Sequence, residues 1–253
     1  MTAPGFRVVI PARYASTRLP GKPLLELAGR PMLQHVYDHA LQSGASEVLI
    51  ATDDERIRAA AEKFGARVCM TDPGHQSGTD RLGEVVQHYG WPGQTIVVNV
   101  QGDEPLLPSG YIAQVARELA SHPAAEVATL ACPCEQATDL QNPNKVKLVR
   151  DKNGFALYFS RAPIPFRRDA QGGGGQHALC HIGLYAYRAA FLEKYRQLEP
   201  SPLEQEEKLE QLRVLWHGMK IYAGLVPEMP GPGVDTREDL MRVASVLARG
   251  LHQ

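Results

Sequence analysis

The sequence predicts an α/β fold: a mostly parallel central sheet flanked by helices. Two observations carry this. Over the first half of the chain, short runs rich in Val and Ile alternate with longer segments whose apolar residues recur at helical spacing. The short runs are apolar at consecutive positions, as in parallel strands buried on both faces. The chain has 253 residues, 43% of them hydrophobic and 22% charged. That is enough for a large core without disulfide or metal staples.

The elements follow in order. Residues 7–11 form the first strand, and a loop bearing Gly and Pro continues to about residue 29. Pro31 opens a helix with Leu33, Val36, Tyr37, Ala40 and Leu41 on one face, and Gly44 ends it. Residues 48–52 are the second strand. Asp53 or Asp54 caps the next helix, whose apolar face is Ile57, Ala60, Ala61 and Phe64, with Gly65 beyond it. A strand over 67–70, a helix over 83–89, a strand over 96–100 and a helix from Ser109 to about 120 complete the alternation. The second half is less regular. Residues 127–131, 146–149 and 182–187 read as strands of antiparallel character. Four consecutive glycines at 172–175 predict a mobile loop. Residues 203–217 read as one helix, with Leu209, Leu212 and Trp216 at helical spacing. A strand over 220–226 precedes a final helix starting at Thr236, which turns Leu240, Val243, Ala244 and Leu247 inward. No repeat and no Ser/Pro-rich linker divides the chain, so residues 1–253 read as one domain with a smaller lobe around 130–215.

Composition excludes several classes. A net charge of −1 gives no global basic field for nucleic acid or an anionic membrane. Cys132 and Cys134 stand too close for a CxxC pair, and no partner pair exists. Zinc is thereby disfavoured, and the cysteines read as buried or free thiols of a reducing compartment. No apolar run approaches the roughly 20 residues of a membrane helix, and the N-terminus lacks the apolar segment of a secretion signal. The expectation is a cytoplasmic protein.

Three clusters carry chemistry. The first, IPARYASTRLPGKPL, begins at Ile10 and follows the first strand. Loops at the carboxyl ends of parallel strands are where such sheets bind ligands. This one is not a Walker loop, but its backbone N–H groups suit a triphosphate, with Arg13 and Lys22 to neutralise it. The second, VVNVQGDEP, runs a strand into adjacent carboxylates. Magnesium takes hard oxygen ligands, with one or two carboxylates and the rest water and phosphate, and Asp103 at a strand end suits that role. The third, GPGVDTREDL, places Asp235 before the last helix. Alone, Asp235 is an N-cap aspartate. Paired with Asp103 it becomes a second metal ligand. A fourth segment, SGTDR from Ser77 to Arg81, reads equally as a helix N-terminal turn or as a contact to base and ribose.

The set IPARYASTRLPGKPL, HQSGTDR, VNVQGDEP, NPNKVK, ALYFSRAPIP, HIGLYAYR, PSPLEQEEKLEQLRVLW and GVDTREDL, in this order and over nearly the whole chain, resembles the 3-deoxy-manno-octulosonate cytidylyltransferase family, the CMP-Kdo synthetases. The resemblance implies a Rossmann-like nucleotidyltransferase fold with a smaller dimerisation lobe. It implies a homodimer that uses magnesium to join CTP to the acidic 3-deoxy sugar Kdo, giving CMP-Kdo and diphosphate for lipopolysaccharide assembly. Carried over by motif, Arg13 and Lys22 bind the triphosphate, and Ser77 and Arg81 lie near the cytidine. Asp103 and Asp235 hold magnesium. Lys22, Arg13 and Asp103 are the catalytic set. Gln101, Arg161, His181, Tyr185, Glu210 and Gln211 line the sugar pocket, with Arg161 as the partner of the sugar carboxylate because a guanidinium meets a carboxylate bidentately. Departures from the family pattern are Lys145, where an apolar or small residue is expected, Met219, where a polar one is expected, and the tetraglycine run. Two other readings stay open: a cytidylyltransferase for a related acidic sugar, such as an 8-amino analogue of Kdo or sialic acid, and a non-catalytic sugar-nucleotide-binding module.

Overall fold

The computed structural model describes residues 5–15, 19–75, 77–166, 168 and 178–250. The tetraglycine run, and Ser16, Thr17 and Arg18 of the first loop, lie outside them.

Strand β1 (Phe6–Ala12) leads through a 3₁₀ turn at Lys22–Leu24 and a two-residue hairpin, β2 (Glu26–Leu27) and β3 (Arg30–Pro31), into helix α1 (Met32–Gln42). Then β4 (Glu47–Thr52), α2 (Glu55–Lys63), β5 (Arg67–Met70), α3 (Gly78–Tyr89), β6 (Ile96–Asn99) and α4 (Ser109–Ser121) alternate as the periodicity predicts. The second half supplies β7 (Val127–Pro133), α5 (Ala137–Gln141), β8 (Lys147–Arg150), β9 (Ala156–Ser160), β10 (Leu179–Arg188) and α6 (Ala189–Tyr195). It ends with α7 (Pro202–Glu207), α8 (Gln211–Trp216), β11 (Ile221–Leu225) and α9 (Arg237–Gly250).

The main sheet runs β11-β7-β10-β6-β1-β4-β5, with β8 on β10 and β9 on β8. β1 is parallel to β4 and β6, β4 to β5, and β7 to β11. β10 is antiparallel to β6, β7 and β8, so it divides two parallel blocks. The consecutive apolar residues of β1 have a direct cause: the sheet has a core on each face. Val8 and Ile10 pack with Leu33 and Val36 of α1 and Ile112 of α4. Val9 points the other way, into Leu82 and Val85 of α3 and Phe191 of α6. All three β1 residues are fully buried, each stabilising the fold by roughly 1.5–3 kcal/mol.

Of the two candidate caps of α2 it is Asp54 that acts, its Oδ1 accepting from the Arg56 N–H at 2.9 Å. Two expectations change. α3 begins five residues earlier than its apolar pattern suggests, because Ser77 caps it, accepting from the Asp80 N–H at 3.1 Å. The single helix expected over 203–217 breaks at Lys208, which takes φ +53°. The cysteines also differ from expectation. Cys134 and Cys180 form a disulfide with Cα atoms 5.1 Å apart, since the β7–β10 register sets Cys180 opposite Cys132, two residues away. Cys69 and Cys132 are free and buried. Among the described residues, no helix is long and apolar enough to cross a membrane.

Candidate active site

Gly21 lies back against the segment that follows β1: its N–H donates to the Tyr14 carbonyl at 3.0 Å. Gly21 has φ +68°, and a Cβ there would meet the Tyr14 ring at 3.0 Å. Both facts demand glycine. Gly21→Ala should therefore cost about 1 kcal/mol or more, read as a melting temperature lower by about 2–4 °C. The closure sets the direction of Lys22. Its ammonium donates to Asp103 Oδ2 at 2.6 Å, Asp235 Oδ1 at 3.1 Å and the Val234 carbonyl at 2.9 Å.

Asp103 lies just beyond the carboxyl end of β6, and Asp235 just before α9. Their loops are tied by the Val234 N–H donating to the Asp103 carbonyl at 2.9 Å. The structure thus brings Lys22, Asp103 and Asp235 together. Burial opposes the charge on Lys22, but Asp103 and then Asp235 outweigh it and raise its pKa. Glu104 joins the group: burial first, then Asp103 and Asp235, push its carboxyl up to about 7. Among the described residues no group of three or more His, Cys, Asp or Glu is arranged to hold a metal ion. A divalent ion here would rest on two carboxylates, the number magnesium ordinarily takes from a protein.

The other predicted nucleotide contacts lie at the start of α3. Arg13 donates to the His75 carbonyl and, at 3.4 Å, to that of Ser77. The Ser77 hydroxyl is engaged with Asp80 as the helix cap, donating to its Oδ2 at 2.9 Å. Arg81 is fully buried, donating to Thr71 and standing 3.4 Å from Asp53. Its guanidinium packs beneath the helix, with burial depressing its pKa.

Beside this group lies a cavity of about 360 Å³. Gln101, His181, Tyr185, Glu210 and Gln211, all expected on the sugar side, line it. Gln101 is two residues from Asp103, so the cavity adjoins the carboxylates. Burial holds His181 down to about 3, and the ring is neutral. Its Nε2 lies 2.9 Å from Thr129 Oγ1, which has the Ile182 and Leu184 carbonyls to donate to. His181 is then the Nε2–H tautomer, with Nδ1 as acceptor. Burial raises the Tyr185 and Tyr187 phenols, which stay protonated. Glu210 accepts from Thr79 Oγ1 at 3.2 Å, and burial raises its pKa.

Arg161 is not placed on this cavity. Its guanidinium donates to the carbonyls of Glu207 at 2.7 Å, Pro143 at 2.9 Å and Lys208 at 3.3 Å. Two of those carbonyls are left open where α7 ends, so Arg161 caps that terminus. The break at Lys208 is what exposes Lys208, Leu209, Glu210 and Gln211 to the cavity. Among the described residues, Lys208 is the only lysine or arginine lining it. Sequence reading missed Lys208 because EEKLEQLR fits an unbroken helix. It also missed Asn99 and Tyr195, cavity residues whose Oδ1 and Oη are buried without a hydrogen-bond partner among the described residues. Of the departures, Lys145 pairs with Asp139 at 2.6 Å, and Met219 is buried with Leu212 and Val214.

A doubly covered sheet whose loops, after β1, after β6 and before α9, bring a lysine and two carboxylates together beside a cavity is the architecture of a nucleotidyltransferase. The chain belongs to the cytidylyltransferase family, whose model matches residues 7–221. A 3-deoxy-manno-octulosonate cytidylyltransferase from Nitrosococcus oceani is 55% identical over 249 residues, 96% of each chain. One from Aeromonas salmonicida is 56% identical over 257 residues, covering 96% of this chain and 99% of its own. Among solved structures, a CMP:2-keto-3-deoxy-manno-octonic acid synthetase complexed with CTP superposes with a TM-score of 0.90 at 44% identity, over 98% of this chain and 100% of that one. The family resemblance read from the motifs is borne out.

Proposed function

We propose that this chain activates Kdo: the anomeric hydroxyl of the sugar acid attacks the α-phosphorus of CTP, the bond to the β-phosphate oxygen breaks, and CMP-Kdo and diphosphate result. The hydroxyl proton passes to solvent. The product is an activated sugar for lipopolysaccharide assembly. The convergence of Lys22, Asp103 and Asp235 beside the cavity carries this reading, because a reaction among anions depends on neutralising charge and holding the reactants in line.

Two carboxylate oxygens from distant loops meet one cationic nitrogen here, which fits a hard divalent ion, and Asp103 and Asp235 would hold magnesium. When bound, it would neutralise phosphate charge and acidify the attacking hydroxyl. Lys22 and Arg13 bind the triphosphate and stabilise the leaving group. Gln101, Tyr185 and Gln211 offer hydrogen bonds to sugar hydroxyls, and neutral His181 accepts through Nδ1. Lys208, at the cavity edge, meets the sugar carboxylate. Leu157, Phe166 and Trp216 are 62%, 87% and 54% exposed and support a homodimer formed through the β9 side. The reaction belongs to the cytoplasm, where its nucleotide is made.

The test is diphosphate release on mixing enzyme, CTP and magnesium with a panel of Kdo, its 8-amino analogue and sialic acid. Kdo is expected to give the highest kcat/KM. A preference for another acid by tenfold or more overturns the substrate assignment, and no release with any of them overturns the enzyme reading.

A further inference from the structure

An ammonium has three N–H donors and no acceptor. In Lys22 each donor meets a protein oxygen: Asp103 Oδ2, Asp235 Oδ1 and the Val234 carbonyl, all between 2.6 and 3.1 Å. Its hydrogen-bonding capacity is filled without a phosphate. The point it occupies, bonded to both carboxylates at once, is also the point from which two carboxylates would hold a divalent cation. An ammonium and a divalent ion cannot share those oxygens, since both are cationic and would stand within a few ångströms of each other. Leaving is feasible for Lys22. Its backbone is fixed by the Gly21 closure and the 3₁₀ turn, but its stem is four carbons long and its side chain is 15% exposed.

We propose that Lys22 is the resident cation of the two-carboxylate site in the nucleotide-free protein, and that a triphosphate must draw it away before Asp103 and Asp235 can take a divalent ion. Lys22 thereby keeps the two carboxylates together when the site has no ligand, and makes metal binding conditional on nucleotide. The ammonium then moves from carboxylate oxygens to phosphate oxygens, so one cation serves both states. This rests on the magnesium reading above and adds to it an order of binding.

The experiment titrates the full-length protein with Mn²⁺ alone, followed by electron paramagnetic resonance and calorimetry, with no nucleotide present. Lys22→Met is expected to bind Mn²⁺ about tenfold or more tightly than the parent, because the competing cation is gone while both carboxylates stay. The same Mn²⁺ concentration raises the melting temperature of Lys22→Met more than that of the parent. Adding Asp103→Asn to Lys22→Met abolishes the gain. Lys22→Gln, which retains an amide donor for the Val234 carbonyl, replaces the methionine variant if that one does not fold. Equal Mn²⁺ affinity in parent and variant overturns this inference and leaves the metal reading standing. Absence of Mn²⁺ binding in every protein, with CTP as well as without it, overturns both.

Discussion

Asp103→Asn is expected to lower magnesium-dependent kcat/KM by about three orders of magnitude, corresponding to roughly 4 kcal/mol of lost transition-state stabilisation. The amide is nearly isosteric but carries no charge, so it weakens the hold on a divalent ion and on Lys22 together. The fold should survive. The contact that ties the two loops runs from the Val234 N–H to the Asp103 backbone carbonyl, which the substitution does not touch. The melting temperature should stay within a few degrees of the parent. Asp235→Asn should resemble it, and the double variant should be little worse than either single one, because groups that act on one ion fail as a unit. Steady-state kinetics across a magnesium titration reads all three. Turnover of Asp103→Asn within tenfold of the parent removes Asp103 from the metal site, whatever the crossing of its loop with that of Asp235 suggests.

Strands β1, β4 and β6 were legible because each is buried on both faces, which leaves a run of consecutive apolar residues that no amphipathic helix would carry. Val8, Val9 and Ile10 show this, each serving one of two cores. The meeting of Asp103 and Asp235 was not legible from spacing. Each alone has an ordinary local role, and only the order of motifs along the chain joined them. The break at Lys208 was hidden for a different reason. Its residues satisfy helical periodicity, and what interrupts the helix is tertiary: Arg161 takes the freed carbonyls of Glu207 and Lys208. The same contact explains why a guanidinium chosen for its affinity for carboxylates ends on backbone oxygens. β10 was legible as an antiparallel strand, but not as the divider of two parallel blocks, because a strand's own residues do not say which strands lie beside it.

The break has its own lock, and breaking that lock gives the second large effect. Arg213 of α8 reaches back to Glu204 of α7, with Nε to Oε2 at 2.7 Å and Nη2 to Oε1 at 2.6 Å, and only 17% and 11% of the two side chains exposed. Glu204 also completes a capping box with Ser201, and Arg213 lies 4.7 Å from the Tyr195 ring centroid on the cavity side. Arg213→Met leaves the Glu204 carboxylate buried without its cation. That should cost about 3–5 kcal/mol, or a melting temperature lower by roughly 6–20 °C. Because Glu210 and Gln211 hang on this junction, KM for the sugar acid should rise about tenfold or more while KM for CTP changes little. Replacing both partners, as Glu204→Leu with Arg213→Met, should recover a large part of the stability, since no unpaired charge remains. It should not recover the sugar KM, because the junction is then packed rather than held in register. A loss below 1 kcal/mol in Arg213→Met, measured by denaturant unfolding, would mean that the pair is an ordinary surface contact and that the wall carrying Glu210 stands without it.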